Sequence, residues 1–412
     1  MDFLFGRISP KSSIYMKKAV KKTTIKKTAT KNVSIKNTAI QTVFVGLSGG
    51  VDSSVAAYLL KKAGYNVVGV YMRTWQPDFI ECTWRDEKRD AMRVAAHLDI
   101  PFVFMDVSKE YEKMVAEKMI AAYRSGKTPN PDVLCNRDIK FGVFLKHALR
   151  HGADFIATGH YAQVSEEKLN NKSKTNVSKT AAPDKHKHIL SRGKDQAKDQ
   201  AYFLWMLSED ELSRTLFPLG GMKKPDVRKL AAKIGLPTAQ KKDSQGICFI
   251  GNINMKDFLL NYIEPHTGNV LDEKGEVVGD HEGAAFYTIG ERHGFTVTNH
   301  TPNDLPYYVM AKDTTKNTIT VSHLNPFELK KKISAINNTF FLTDTNFRQF
   351  VDPKQVYTVE SRYHGELGTA MIRQMAGNTA EVILISSPGP VVSGQSFVVY
   401  DKNICIGGGV IA

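Results

Sequence analysis

The chain has 412 residues, which is enough for about two or three domains with sizeable apolar cores. No run of apolar residues is long enough to cross a membrane. Four cysteines, none of them in a Cys-X-X-Cys pair, argue against a disulfide framework and against a structural zinc site, so a reducing compartment is expected.

The net charge of +14 is unevenly distributed, which weakens it as a sign of nucleic-acid binding. Residues 1–41 contain nine lysines, Arg7 and a single acid, Asp2, and so carry a net charge of +9. Residues 165–189 contain six lysines and three acids, and so carry +3. The rest of the chain is close to neutral, and net charge therefore does not predict a basic groove on the folded part.

Residues 1–41 are rich in Lys, Thr and Ser, and this composition predicts a disordered basic tail. The scarcity of acids would suit a mitochondrial transit peptide, whereas the single arginine and weak apolar face argue against one. An RNA-tethering tail and an upstream translation start are two further interpretations. We favour a non-targeting tail on a bacterial-type cytoplasmic protein, with the mitochondrial matrix as the alternative location.

After the tail, apolar β-branched runs alternate with amphipathic runs. This order is typical of an α/β fold with a Rossmann-like, doubly wound parallel sheet. Ligands of such sheets bind beyond the carboxyl ends of the strands, where Met72 and the pair Gly159-His160 fall. The predicted strands are 43–45, 67–71, 102–107 and 155–158, and the predicted helices that follow the first one are 85–98, 111–125 and 140–151.

The first strand leads into the sequence SGGVDSS at residues 48–54, and then into an amphipathic helix. Two glycines let the backbone approach a phosphate closely, and the first N–H groups of a helix attract anions. Serine hydroxyls add donors, and Asp52 could hold a phosphate-bound Mg²⁺. The loop lacks the Gly-Lys-Ser/Thr ending of a P-loop kinase. It resembles the Ser-Gly-Gly-X-Asp-Ser signature of ATP pyrophosphatases, which adenylate their substrates.

The residue pattern of the remaining chain changes twice. Residues 165–188 are polar and without periodicity, and we interpret them as an insertion between hairpin strands at 161–164 and 188–192. A helix is predicted at 225–234. Beyond residue 252, short strands recur with turn signals. The predicted division is a catalytic ATP-binding domain at 42–251, a small mixed domain at 252–325 and a C-terminal β-barrel at 326–412.

Two of the four cysteines lie in segments that could be reactive. Cys135 follows Asp132 in a stretch whose two prolines predict an extended backbone, and Cys248 lies in the run DSQGICFIG. Both have polar, turn-rich surroundings, which predicts exposed thiols. Cys405 belongs to an apolar strand pattern and is predicted to lie in the core, whereas Cys82 lies in a loop with no evident partner.

Seven motifs in a fixed order resemble those of tRNA-specific 2-thiouridylases, which replace the C2 oxygen of the wobble uridine by sulfur. The resemblance runs from about residue 42 to the C-terminus, apart from the insertion. The motifs are SGGVDSS, TPNPDVLCN, ATGHYA, KDQAYFL, DSQGICFIG, YTIGERHG and the closing RYHG…PGPVVSGQSFVVYD…GGG.

The resemblance implies a role for particular residues of this chain. Cys248 would carry a persulfide, Cys135 would resolve it by forming a disulfide with Cys248 or by freeing sulfide, and Asp132 would be an acid/base near the target. The implied ATP cradle is Gly46, Leu47, Ser48, Gly49, Gly50, Val51, Asp52 and Ser53, with Met72 and Gly159 on the adenine and ribose side. The implied tRNA contacts are Asn130, Pro131, Asp132, His160, Lys198, Asp199, Gln200, Arg362, Tyr363 and Gln395.

The same resemblance implies ATP and Mg²⁺ as cofactors, with no resident metal in the protein. The implied partners are tRNAs of the Lys, Glu or Gln type and a sulfur-relay protein or cysteine desulfurase; we expect a monomer. Two interpretations compete with this one. Another adenylating ligase of the ATP pyrophosphatase type would not need the two cysteines, and a non-catalytic RNA-binding protein would depend on the basic tail and not on ATP.

Overall fold

The computed structural model describes residues 40–80, 83–168, 186–243, 254–298, 305–325 and 338–412. The predictions for the basic tail before residue 40, for Cys82, for the centre of the insertion and for Cys248 concern residues outside these ranges.

A five-stranded parallel sheet forms the first part of the structure, in the order β3-β2-β1-β4-β7. The central strands β1, β2 and β4 carry buried apolar residues, as strands covered on both faces must, whereas β3 is only half-buried. The Rossmann-like prediction is thus confirmed, and β7 is an addition that was not predicted. The strands are β1 (Thr42–Gly46), β2 (Asn66–Arg73), β3 (Phe102–Asp106), β4 (Phe155–Ala157) and β7 (Thr215–Leu216).

Helices follow these strands at the predicted places, with ends that differ by a few residues. The first helix buries Val55, Ala56 and Leu60 against the sheet. The helices are Val51–Lys62, Trp84–His97, the unbroken succession Ser108–Tyr111, Glu112–Ala116 and Glu117–Arg124, and the later Glu209–Ser213, Lys224–Lys233 and Met255–Leu259.

The segment around Cys135 is helical, so the prediction of an extended backbone was wrong. Three helical stretches, Pro131–Leu134, Cys135–Val143 and Phe144–Arg150, follow one another without a break. A proline is tolerated in the first turn because its missing N–H would have no partner there. The Asn130 side chain caps the helix by accepting a hydrogen bond from the Val133 N–H at 3.3 Å. The helix therefore begins nine residues before the predicted start at residue 140.

The predicted hairpin is present as β5 (Ala162–Lys168) and β6 (His186–Arg192). Its strands extend into both ends of the predicted insertion. The hairpin does not join the parallel sheet. It pairs with the C-terminal barrel, where Ser191 lies opposite Ile404. The barrel is therefore attached to the preceding part of the chain through main-chain pairing.

Six antiparallel strands close the C-terminal barrel, in the order β13-β16-β15-β14-β17-β18 with β13 also paired to β18. The prediction of a barrel is confirmed, but β13 was missed. Its sequence, TFFLTDTNF, mixes polar and apolar residues too evenly to stand out. The strands are β13 (Thr339–Phe347), β14 (Tyr357–Glu360), β15 (Leu367–Met375), β16 (Thr379–Ser386), β17 (Ser396–Asp401) and β18 (Ile404–Ile411).

A second five-stranded sheet lies between these two parts of the chain, in the order β10-β9-β8-β12-β11. Its pairs are antiparallel except for β8 and β12, which run parallel. The strands are β8 (Gly268–Leu271), β9 (Val277–His281), β10 (Thr296–Val297), β11 (Tyr308–Asp313) and β12 (Thr318–Ser322). Within the described residues, no helix is both long and apolar enough for a membrane span.

Candidate active site

The glycine loop, residues 46–53, joins β1 to the first helix and is held by its own serines. The Ser48 N–H donates to the Ser53 hydroxyl at 3.2 Å, and the two hydroxyls lie 3.3 Å apart. Ser53 in turn donates to the Gly50 carbonyl at 3.1 Å. The helix starts at Val51, so its first N–H groups face the loop as a site for an anion.

Two glycines lie against neighbouring backbone so closely that a side chain would clash. Gly49 has a φ of +72°, and a Cβ there would lie 2.6 Å from the Glu87 carbonyl oxygen. A Cβ on Gly159, just after β4, would lie 2.8 Å from the Ser53 nitrogen. Because both positions admit only glycine, the backbone packs closely at the start of the helix and forms a glycine cradle there. Such a cradle fits a nucleotide phosphate.

Other predicted cradle residues have packing roles. Leu47 and Val51 are buried, and Met72, near the end of β2, is 6% exposed. The Met72 methyl group would contact a Cβ on Gly46 at 3.4 Å. Met72 therefore packs beside the end of β1, at the carboxyl edge where the sequence predicted it.

The carboxylate of Asp52 has two partners that sequence reasoning missed. The Tyr161 hydroxyl donates to Asp52 Oδ1 at 2.7 Å, and burial followed by the Asp52 charge raises the pKa of Tyr161. Lys224 Nζ lies 2.8 Å from Oδ1 and 2.7 Å from Oδ2 of Asp52. Tyr161 stands within the ATGHYA motif, which was a usable signal, whereas nothing in the local sequence marked Lys224.

Asp243 joins the glycine loop to the segment that leads towards Cys248. It accepts hydrogen bonds from Lys224 at 2.7 Å, Lys198 at 2.9 Å and Arg228 at 2.6 Å. Partial burial opposes ionisation, but the hydrogen bonds and charges of Lys224 and Lys198 prevail and lower the pKa of Asp243 to about 2. Cys248 itself lies outside the described residues, so its distance from Cys135 stays undetermined.

The predicted catalytic segment packs against the motif KDQAYFL. The Tyr202 hydroxyl donates a hydrogen bond to the Ser396 carbonyl at 3.0 Å. The same hydroxyl accepts a hydrogen bond from the Asn130 side chain. Pro131 is buried and Asp132 is half-buried. Cys135 is fully buried, so the prediction of an exposed thiol was wrong for this residue. It is buried because the helix turns it towards the apolar core.

The three residues Lys198, Asp199 and Gln200 all have partners within the protein. Lys198 binds Asp243, and Asp199 is buried, accepting hydrogen bonds from the backbone N–H groups of Gly193 at 2.8 Å and Ala201 at 3.2 Å. The Gln200 side-chain oxygen accepts from the Tyr161 N–H at 3.1 Å. These contacts position the loop; a direct role towards tRNA stays a prediction.

His160 is buried between Phe141 and Phe217, with both ring centroids 5.9 Å away. Its Nδ1 lies 2.7 Å from the Thr158 hydroxyl. Burial, with the positive charge of Lys140 as a smaller contribution, holds the pKa of His160 well below its ordinary value. The ring is therefore neutral at physiological pH.

The barrel brings Tyr363 and Gln395 to this region. The Tyr363 ring lies 4.2 Å from the Phe203 ring, between centroids, and burial with nearby negative charges, Asp132 among them, raises the pKa of Tyr363 to about 12. Gln395 donates to the Thr128 carbonyl at 3.0 Å. Arg362 beside Tyr363 is exposed. The structure thus gathers Asn130, Asp132, Tyr363 and Gln395 around one junction.

Metal ligands are sparse in the described part of the chain, where no group of three or more His, Cys, Asp or Glu side chains could hold an ion. A Mg²⁺ ion would therefore depend on a bound phosphate as well as on Asp52. Cys405 is buried in β18, which confirms its predicted place in the core. Burial raises the pKa of its thiol although Arg348 lies beside it.

Family models match the chain in three consecutive stretches. Residues 41–252 match the tRNA methyl transferase HUP domain, residues 256–323 the tRNA methyl transferase PRC-barrel domain, and residues 332–411 the aminomethyltransferase beta-barrel domain. The first match alone spans more than half of the chain.

Curated relatives match nearly the whole sequence. The tRNA-specific 2-thiouridylase MnmA of Listeria welshimeri is 40% identical over 373 residues, covering 90% of this chain and 94% of the relative. The protein of that name from Thiobacillus denitrificans is 40% identical over 374 residues, covering 90% and 99%. Among solved structures, a 4-thiouridine synthetase in complex with RNA and bound ATP has 20% identity and a TM-score of 0.31, covering 54% of this chain and 50% of that one. That last similarity is too low to support a conclusion.

Proposed function

Because the chain belongs to the tRNA-specific 2-thiouridylase family, and is thus a sulfurtransferase that thiolates tRNA uridine, we propose that it acts on C2 of the wobble uridine. The reaction proceeds through ATP-dependent activation of the C2 oxygen. The observation that carries this proposal is the glycine cradle at the start of the first helix, where Gly49 and Gly159 allow close packing of the backbone. Such a cradle suits the phosphates of ATP.

ATP would lie along the cradle residues, with Met72 and Gly159 on the adenine and ribose side. Asp52 would hold Mg²⁺ together with the phosphates, and the ion would supply charge neutralisation there. The uridine C2 oxygen is a poor leaving group. Transfer of AMP to that oxygen releases pyrophosphate and makes C2 an electrophile with a good leaving group.

Sulfur transfer then needs two thiols. The terminal sulfur of a Cys248 persulfide attacks C2, a C–S bond forms, and the C–O bond to AMP breaks. The Cys135 thiolate next attacks the Sγ of Cys248, the S–S bond of the adduct breaks, and the sulfur stays on the uridine. A Cys135–Cys248 disulfide is left, and external thiols reduce it. Asp132 is the acid/base near the uridine, as its half-buried position allows.

Cys135 is fully buried before tRNA binds, so this scheme requires its exposure. We place that movement in the helical stretch Cys135–Val143, whose widened π-type turns are less regular than an α-helix. The wobble base must also leave the anticodon stack to reach Asp132. This proposal includes direct contacts with tRNA. The contacting residues are Asn130, Pro131, His160, residues 198–200, Arg362, Tyr363 and Gln395.

We also propose the division of labour along the chain. Residues 42–251 bind ATP and carry the reacting thiols, residues 252–325 link the two other parts, and residues 326–412 contact tRNA. A sulfur-relay protein or a cysteine desulfurase supplies the persulfide. The substrates are tRNAs of the Lys, Glu or Gln type, and the enzyme acts as a monomer in the cytoplasm.

The test is sulfur transfer with purified components. Protein, ATP, Mg²⁺ and unmodified tRNA are incubated with sulfide or with a desulfurase donor, and the nucleosides are analysed by mass spectrometry. We expect 2-thiouridine that disappears without ATP and in the Asp132→Ala variant. The Cys248→Ser variant is tested with the desulfurase donor, because free sulfide could bypass the persulfide. With that donor we expect no thiolation.

One alternative predicts a different outcome of this experiment. Another adenylating ligase would split ATP to AMP and pyrophosphate but leave every uridine unthiolated. It would also keep full activity when Cys135 and Cys248 are both replaced by serine. Absence of AMP under all conditions would overturn the adenylation step itself.

A further inference from the structure

Lys224 is a buried cation at the glycine loop that the proposed reaction has not used. Its ammonium group contacts both carboxylate oxygens of Asp52, at 2.8 and 2.7 Å, and Asp243 Oδ1 at 2.7 Å. The residue is only 8% exposed. One cation thus serves two carboxylates, one of them inside the cradle and the other outside it.

The fold fixes the place of this cation. The helix Lys224–Lys233 begins at Lys224 itself, whose backbone N–H donates to Asp195 Oδ2 at 2.7 Å. Val227 and Ala231 are buried in the same core cluster as the first helix. Thr238, just beyond the helix, donates to the Ser54 hydroxyl at 3.0 Å. The start of one helix is therefore held against the start of the other.

From this geometry we propose that Lys224 is a phosphate-binding residue as well as the counter-ion of Asp52. When ATP binds, Asp52 would help to hold Mg²⁺, and the Lys224 ammonium group would turn to a phosphate oxygen while keeping its contact with Asp243. This inference rests on the proposed binding of ATP at the glycine loop.

Charge explains why a lysine is suited to this exchange. A half-buried carboxylate beside an incoming polyphosphate would repel it, because water screens the two charges only in part. A cation that already lies between the carboxylates removes that repulsion in both states. Asp243 is held by Lys198 and Arg228 as well, so it remains compensated when Lys224 turns towards a phosphate.

The competing explanation is a purely structural ion pair. Variants that remove each charge separately and together distinguish the two explanations. ATP binding is measured by calorimetry in EDTA, so that metal binding by Asp52 plays no part. Asp52→Asn releases Lys224 and should tighten ATP binding. Lys224→Met should weaken it by roughly tenfold or more, the effect of losing a charged hydrogen bond.

The double variant Asp52→Asn/Lys224→Met decides between the two roles. If Lys224 binds phosphate, the double variant stays clearly weaker than wild type, although the loss of the Asp52 charge relieves part of the repulsion. If Lys224 only compensates Asp52, the double variant recovers the wild-type affinity, and the inference is overturned. Adenosine, which has no phosphates, should bind all four proteins equally.

Two controls complete the design. Lys223→Met removes the neighbouring exposed lysine and should change nothing. If Lys224→Met does not fold, Lys224→Gln keeps a hydrogen-bond donor for both carboxylates, and the same loss of ATP affinity is expected. A wild-type protein that binds no ATP, with or without Mg²⁺, would contradict the proposed function; a Lys224→Gln protein that binds ATP as tightly as wild type would contradict only this inference.

Discussion

The side-chain amide of Gln395 donates a hydrogen bond to the backbone carbonyl of Thr128 at 3.0 Å, although 267 positions separate the two residues. The two backbones are also joined directly, because the Thr128 N–H donates to the Ser393 carbonyl at 2.9 Å. The barrel therefore holds the stretch that leads into residues 130–135. Removing the barrel contact should disturb the tRNA step and leave the ATP step intact.

The Gln395→Ala variant tests this separation. We expect kcat/KM for tRNA thiolation to fall roughly two- to tenfold, the cost of one hydrogen bond. The Kd for ATP should stay unchanged, because the glycine loop belongs to a different element. Gln374→Ala, an exposed glutamine of β15, is the matched control. Equal tRNA kinetics in the two variants would show that the contact with Thr128 has no role in thiolation.

Local patterns predicted the strand, glycine loop and helix at residues 42–62 well. The strand β1, the glycine loop and the first helix are adjacent in sequence, and each has its own strong signal. The error at Pro131 was also local, since a proline can begin a helix as well as prevent one. Asn130 in front of it was the cap signal that could have decided the matter.

Contacts between distant residues escaped prediction. Lys224 and Asp52 are separated by 172 positions, and only the packing of two helices brings them together. The buried position of Asp199 was missed for another reason, because its partners Gly193 and Ala201 are near in sequence but are brought together only by the folded loop. A polar triplet such as residues 198–200 is typical of a surface, and only the fold shows which of its members are buried.

The close approach of Gly159 to the first helix gives a second prediction. In Gly159→Ala, the new methyl group would lie 2.8 Å from the Ser53 nitrogen and would displace the start of the helix. We expect the Kd for ATP to rise at least about tenfold, because a displacement of about 1 Å is costly at a preorganised site. Gly221→Ala is the control, since no atom lies within 4 Å of its Cβ. Titration calorimetry of both variants would measure the effect, and equal affinities would refute it.

The depressed pKa of His160 predicts how stability depends on pH. Since the folded state disfavours the protonated ring, His160 contributes stability that is present above its ordinary value of 6.5 and lost as the pH falls below it. The free energy of unfolding should therefore drop less between pH 7 and pH 5 in His160→Gln than in wild type. Urea unfolding at the two pH values measures this difference.

An exposed histidine serves as the control for that measurement. His266 is exposed, and His266→Gln should retain the wild-type pH dependence. If His160→Gln lost as much stability as wild type between the two pH values, other titrating groups would account for the acid sensitivity.

Two buried cysteines with opposite expected roles give the last prediction. Cys135→Ser should reduce thiolation with a persulfide donor by at least about 1000-fold, because no thiol remains to break the S–S bond of the adduct. ATP–pyrophosphate exchange with tRNA present should survive, since that step precedes the need for Cys135.

The control is Cys405→Ala, which removes an equally buried thiol from β18. Cys405 is distant in sequence from the residues of the proposed reaction. The Cys405→Ala variant should cost about 1 kcal/mol of stability and leave thiolation within about twofold of wild type. Loss of exchange in Cys135→Ser would place the residue in substrate positioning, and full thiolation by that variant would remove it from the mechanism.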